Sequence, residues 1–222
     1  MKLTPKIIIS YALIACTLLY ITENVYHPVY LLQLIQKVIS FVIIPVIIGY
    51  IFKTQFGRFG KITKQSFLYG LSLGILGGIA IFVAYYLLKE VIDWNAIDNS
   101  MESRKINEST FILVFTYIMF GNSLVEEYFF RGVIFNTLKD NYKISAYLLS
   151  SIAFSLYHIT IFQTWFHGYI LLIALFGLFL GGLFFAWLYK KTNGIWGAYI
   201  FHILADLVIL VIGYYTFFYT SN

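Results

Sequence analysis

Long apolar runs separated by short polar ones dominate this chain. Runs of about 20 mostly apolar residues, enough to cross a lipid bilayer as a helix, fall at roughly 7–22, 29–52, 67–88, 111–136, 144–162, 169–189 and 195–219. The connections are short and polar, and the longest, Lys89 to Thr110, is rich in Asp, Asn, Glu and Ser. The pattern predicts an all-α, polytopic transmembrane bundle of about seven helices, or eight, forming a single integral membrane domain over residues 1–222.

Composition agrees. Of 222 residues, 60% are hydrophobic and 11% charged, with a mean hydropathy of +0.82. A soluble domain of this length has no use for so much apolar surface. The net charge of +5 does not point to nucleic acid, because the basic residues flank apolar runs and form no stripe. They read instead as topology signals. With the N-terminus in the cytoplasm, the inner segments hold Lys2, Lys6, Lys53, Arg58, Lys61, Lys64, Lys139, Lys143, Lys190 and Lys191, and the outer loops only Lys89, Arg104 and Lys105. This asymmetry predicts an N-in, multi-pass protein of the cell membrane.

The single cysteine, Cys16, excludes an intramolecular disulfide and a multi-cysteine metal site. Leu13-Ile-Ala-Cys16 has the form of a lipoprotein cleavage box. The apolar run continues through Thr17-Leu-Leu-Tyr-Ile21, which predicts an uncleaved first helix. Gly70, Gly74 and Gly78, and likewise Gly177 and Gly181, are spaced for close approach of helix backbones.

Within the spans the ionisable residues are few: Lys37, Glu126, Glu127, Arg131, His158, His202 and Asp206. A charge at the bilayer centre costs roughly 2.5–3.5 kcal/mol, so each needs a partner or a purpose. Lys37, beside Gln33 and Gln36, would snorkel or line a wet edge. Glu127 and Arg131 stand at i, i+4 in the order that best forms an ion pair. Glu126 is rotated from Glu127 by about 100° and needs a partner of its own, for which Asn122, one turn earlier, is placed to orient the carboxylate. Phe154 and His158 share a face, as do His202 and Asp206. Counted from the inferred cytoplasmic ends, Glu126, His158, His202 and Asp206 lie about 15, 21, 10 and 16 Å deep, so they can converge on one polar cavity open toward the cytoplasm.

A carboxylate, two imidazoles and a second carboxylate suit hydrolysis of an amide by water. One carboxylate takes the proton, an imidazole shares it or positions the water, and the second pair holds the developing oxyanion. Equally, Glu126, His158, His202 and Asp206 could bind one divalent metal, such as zinc, that activates the same water. Either of the adjacent Glu126 and Glu127 could be the base, since a small helix rotation exchanges their faces.

Glu126-Glu127-Tyr-Phe-Phe-Arg131, then Phe154-x-x-x-His158, then His202-x-x-x-Asp206 resembles the intramembrane proteases of the CAAX-protease and bacteriocin-processing (Abi) family. The resemblance covers about residues 111–210, the motif-bearing core. It implies that Glu126 activates water with His158 as its partner. It implies further that His202 and Asp206 stabilise the oxyanion, that Glu127 and Arg131 support the site, and that Phe154 is a wall. It favours a glutamate mechanism without a cofactor. One departure matters: the CAAX-processing branch usually carries Asn where this chain has Asp206. A charged Asp cannot donate to an oxyanion, so it must be protonated, orient His202 or bind a metal.

The expected function is therefore an intramembrane endopeptidase cleaving near the cytoplasmic side. Its substrate would carry a membrane-associated segment, such as a prenylated C-terminus, a bacteriocin or signalling-peptide precursor, or a sorting helix. The alternative is a non-catalytic immunity or transport protein using the same cavity. The lack of an internal repeat counts against transport.

Overall fold

The computed structural model describes residues 3–26 and 28–219; Lys2, counted above among the inner charges, lies outside them. Every regular element among the described residues is a helix. Among the described residues six helices are long and apolar enough to cross a membrane: α1 (Pro5–Tyr26), α2 (Tyr30–Ile51), α3 (Lys64–Leu88), α5 (Glu108–Tyr142), α8 (Gly168–Lys191) and α9 (Trp196–Tyr219). A bent pair, α6 (Ile144–Tyr157) and α7 (Ile159–Trp165), makes a seventh if it is one span. The remaining helix, α4 (Trp94–Ser103), interrupts the connection expected to be a polar loop. Asp93 caps it by accepting from the Ala96 amide, and Ile97 and Met101, one turn apart, are buried. This is a multi-pass membrane protein. Its outer surface is apolar, with Leu76, Phe82, Leu113, Leu172 and Phe176 all exposed, as lipid-facing side chains must be.

Local sequence explains the helix boundaries. Pro5 opens α1, where its missing amide is no loss. Thr63 with Ser66 and Asn107 with Thr110 form reciprocal caps at the starts of α3 and α5. The first helix runs unbroken through Cys16.

The core is built around α5, which packs against α1, α2, α6, α8 and α9. Residues 127–135 are buried without a break, so this stretch is enclosed on all sides. Phe41 of α2 stacks on Phe129 with centroids 4.0 Å apart, and Phe130 meets Phe41 and Phe154 edge to face and Tyr157 at a tilt. The helix continues to Tyr142, past the expected end at 136.

Gly70, Gly74 and Gly78 line the seam between α3 and α9. A Cβ on Gly70 would come within 2.7 Å of the Gly197 carbonyl oxygen, and one on Gly74 within 2.5 Å of Leu204. The pair in α8 behaves otherwise. Among the described residues a Cβ on Gly177 would meet nothing within 4 Å, and one on Gly181 only Phe185 at 4.0 Å. The close approach is made by Gly182, whose Cβ would strike Ser151 of α6 at 2.9 Å. Residue 182 lies beside the i, i+4 pair, and α8 turns this neighbouring position, not the repeat, toward α6.

Candidate active site

The middle of α5 departs from regular α-helix. It winds with wider, π-type turns over Tyr117–Asn122 and again over Glu127–Phe135, leaving one ordinary turn at Ser123–Glu126 between them. Such turns add a residue to the circuit and occur often where a helix must present particular side chains. Here the wide turns carry Asn122, Glu127 and Arg131, and the ordinary turn between them carries Ser123 and Glu126, facing α2, α6, α8 and α9.

Glu126 is buried, and its two oxygens have different surroundings. Oε1 accepts from Lys37 Nζ at 2.6 Å and from Asn122 Nδ2 at 3.0 Å. Oε2 has no hydrogen-bond partner among the described residues. Two imidazoles face it instead: His158 Nε2 at 3.9 Å and His202 Nε2 at 3.7 Å.

Each imidazole is oriented through its other nitrogen. His158 Nδ1 lies 2.8 Å from the Phe154 carbonyl oxygen. That oxygen can only accept, so Nδ1 carries the hydrogen and a neutral ring turns the Nε2 lone pair toward Glu126. The carbonyl is available because the His158 amide bonds Ser155 O instead, at the point where α6 gives way to α7 at an angle of 45°. His202 Nδ1 donates to Glu127 Oε1 at 2.9 Å.

Glu127 and Arg131 form the expected pair, with Nη1 to Oε1 at 3.0 Å and both side chains fully buried. Arg131 also donates to the Gly182 carbonyl, and its guanidinium lies 4.4 Å from the centroid of Phe154 and 4.8 Å from that of Phe185. Phe185 in turn stacks on His202 with centroids 4.9 Å apart and planes 19° apart. Phe154 meets both imidazoles edge to face. Each glutamate thus takes two donors on Oε1 and has an Oε2 without a hydrogen-bond partner among the described residues, but it is Glu126 Oε2 that two imidazoles face.

Asp206 closes the group from α9. Its Oδ1 stands 3.8 Å from His202 Nε2, beyond hydrogen-bond range. Its Oδ2 lies 2.6 Å from Ser123 Oγ, the donor to it. Glu126, His158, His202 and Asp206 therefore meet in one place, with Asn122, Glu127, Arg131 and Phe154 around them.

Three contributors were not picked out from the sequence. Ser123 and Phe185 look like ordinary helix residues in an apolar run and carry no signal. Lys37 did carry one, a cation in mid-span, but the expectation that it snorkels or lines a wet edge is overturned. It is 8% exposed and bonded to both Asn122 and Glu126. Snorkelling serves a lysine with no partner in the apolar layer; Lys37 has an acid within reach. Among the described residues no group of three or more His, Cys, Asp and Glu side chains is arranged to hold a metal ion.

Residues 108–208 match the family described as Type II CAAX prenyl endopeptidase Rce1-like. No curated protein and no solved structure matches the chain. The match spans all the motif residues, from Asn122 to Asp206, and leaves out α1 to α4. The motif-bearing stretch of this membrane protein is therefore similar to the Rce1-like type II CAAX prenyl endopeptidases, in agreement with the CAAX-protease and bacteriocin-processing family that its three motifs resemble.

Proposed function

We propose that the chain is an intramembrane endopeptidase of the glutamic type, with Glu126 as the base. The observation that carries the reading is the state of Glu126 Oε2, which is buried, free of hydrogen bonds among the described residues and faced by an Nε2 from each of two other helices. A water bound there is held by Glu126 Oε2 and by the His158 lone pair. Glu126 takes a proton from it, the oxygen attacks the scissile carbonyl carbon, and the C–N bond breaks as that proton passes to the leaving nitrogen. When doubly protonated, His202 keeps one N–H on Glu127 and offers the other, on Nε2, to the oxyanion. Asp206 orients this edge of the site together with Ser123. Glu127, Arg131 and Phe154 hold His202 in position.

The substrate class that fits best is a peptide with a prenylated C-terminus, in keeping with the family's description. The balance of Lys and Arg between the loops supports a cytoplasmic N-terminus, a site reached from that side and residence in the cell membrane. No metal is required in this reading, since the charge beside Glu126 comes from Lys37.

The test uses the purified full chain in detergent micelles with fluorogenic farnesylated peptides ending in Cys-aliphatic-aliphatic-X. Cleavage by the wild type and its loss in Glu126→Gln are expected, with activity unaffected by chelators. A folded Glu126→Gln that cleaves as fast as wild type would falsify the assignment. Stoichiometric zinc, lost together with activity on chelation, would replace the metal-free mechanism by a metal-dependent one.

A further inference from the structure

We propose that Lys37 is a positioning residue for this site, one that selects Oε2 as the working oxygen of Glu126. The inference rests on the reading of Glu126 as the base. Lys37 belongs to α2, outside the family match over residues 108–208, so nothing in the three motifs points to it.

A carboxylate has two equivalent oxygens, and rotation about its last bond exchanges them unless something tells them apart. Here Lys37 Nζ bridges Asn122 Oδ1 and Glu126 Oε1, while Asn122 Nδ2 donates to the same Oε1. The three side chains close a ring of hydrogen bonds that puts two donors on Oε1 and none on Oε2. Turning the carboxylate over would break both contacts at once. Oε2 is thereby kept toward the imidazoles of His158 and His202.

Charge makes the same demand. The Glu127 carboxylate is matched by Arg131, but a neutral His158 gives Glu126 no counter-charge, and His202, when protonated, is shared with Glu127 and Asp206. A single buried carboxylate is held only where a cation or donors compensate it. Lys37 is that cation. It also lies 4.8 Å from the centroid of the Tyr157 ring, the residue before His158, so one ammonium spans the seam between the helices that carry Glu126 and His158.

Lys37→Met, Lys37→Arg and Glu126→Gln, each in the full chain, are compared with wild type on the farnesylated peptide panel. Lys37→Met should lower kcat by about 10–100-fold, the range for a displaced reactive group, with KM within about threefold of wild type. Lys37→Arg should recover most of the loss, since a guanidinium can donate to Asn122 and Glu126 together. A purely structural lysine would not give this split or this rescue. If Lys37→Met does not fold, Lys37→Gln is read by the same criteria. Unchanged kcat, or a rise in KM alone, overturns the inference. An inactive Glu126→Gln beside a fully active Lys37→Met sinks the inference but leaves the assignment of the base standing. A fully active Glu126→Gln, or a wild type that cleaves none of the panel, overturns both.

Discussion

His202 is held by Glu127 on the neighbouring helix and not by Asp206, one turn along its own. The ring's Nδ1 is 2.9 Å from Glu127 Oε1, whereas Nε2 and Asp206 Oδ1 are 3.8 Å apart. The adjacent glutamates therefore differ: Glu127 organises an imidazole and a guanidinium, and Glu126, in the proposed mechanism, keeps one oxygen for chemistry.

Removing the two carboxylates should have opposite signatures. Glu127→Ala leaves Arg131 buried and unpaired, so it should cost about 3–5 kcal/mol of stability and lower the thermal unfolding temperature in detergent. Glu126→Gln keeps a side-chain oxygen that can accept from Lys37 beside that of Asn122, so it should lose less stability than Glu127→Ala and about 10²–10⁴-fold in turnover. Equal stability losses in the two variants would contradict this division.

Asp206→Asn should keep activity within about tenfold of wild type, while Asp206→Ala loses about 10²–10³-fold, the scale for deleting one stabilising group. The asparagine oxygen can still accept from Ser123 Oγ, and its amide can face His202. Should Asn prove as inactive as Ala, the carboxylate itself is required and the role given to Asp206 is wrong.

Gly74→Val should loosen α3 from α9, since its branched side chain has to enter Leu204. A cost of about 1–3 kcal/mol is expected for such overpacking, against no measurable change for Gly177→Ala. Thermal unfolding of the two purified variants decides the matter.

Orientation can be measured by labelling. In a Cys16→Ser background, Lys61→Cys should react with a membrane-impermeant maleimide only after the cell is opened, and Lys105→Cys in intact cells. The reverse result would place the N-terminus outside and the entrance to the site with it.

Much of this molecule was legible in the residues. The spans follow from run length alone, and the Glu127–Arg131 pair follows from i, i+4 spacing. The meeting of Glu126, His158, His202 and Asp206 follows from the cost of isolated charge in lipid. What was not legible has physical reasons. The partner of Lys37 lies 89 positions away in the chain, and no local spacing rule reaches so far. The bend after Tyr157 involves no proline or glycine, and the single glycines within the wide turns of α5, Gly121 and Gly132, do not by themselves mark a change of winding. The glycine pair in α8 shows the opposite error. Spacing permits a close approach, but only the rotation of the helix decides which neighbour comes near, and it chose Gly182.

The kink between α6 and α7 has one more implication. The helical ladder has released the Phe154 carbonyl from the amide of residue 158, and that oxygen holds the His158 imidazole. If the span straightened, the amide of residue 158 would compete for that oxygen and weaken the contact that fixes the ring's tautomer. Shape and reactivity are thereby tied together. In the proposed mechanism, whatever flattens this elbow would loosen the His158 ring and with it the hold on the water.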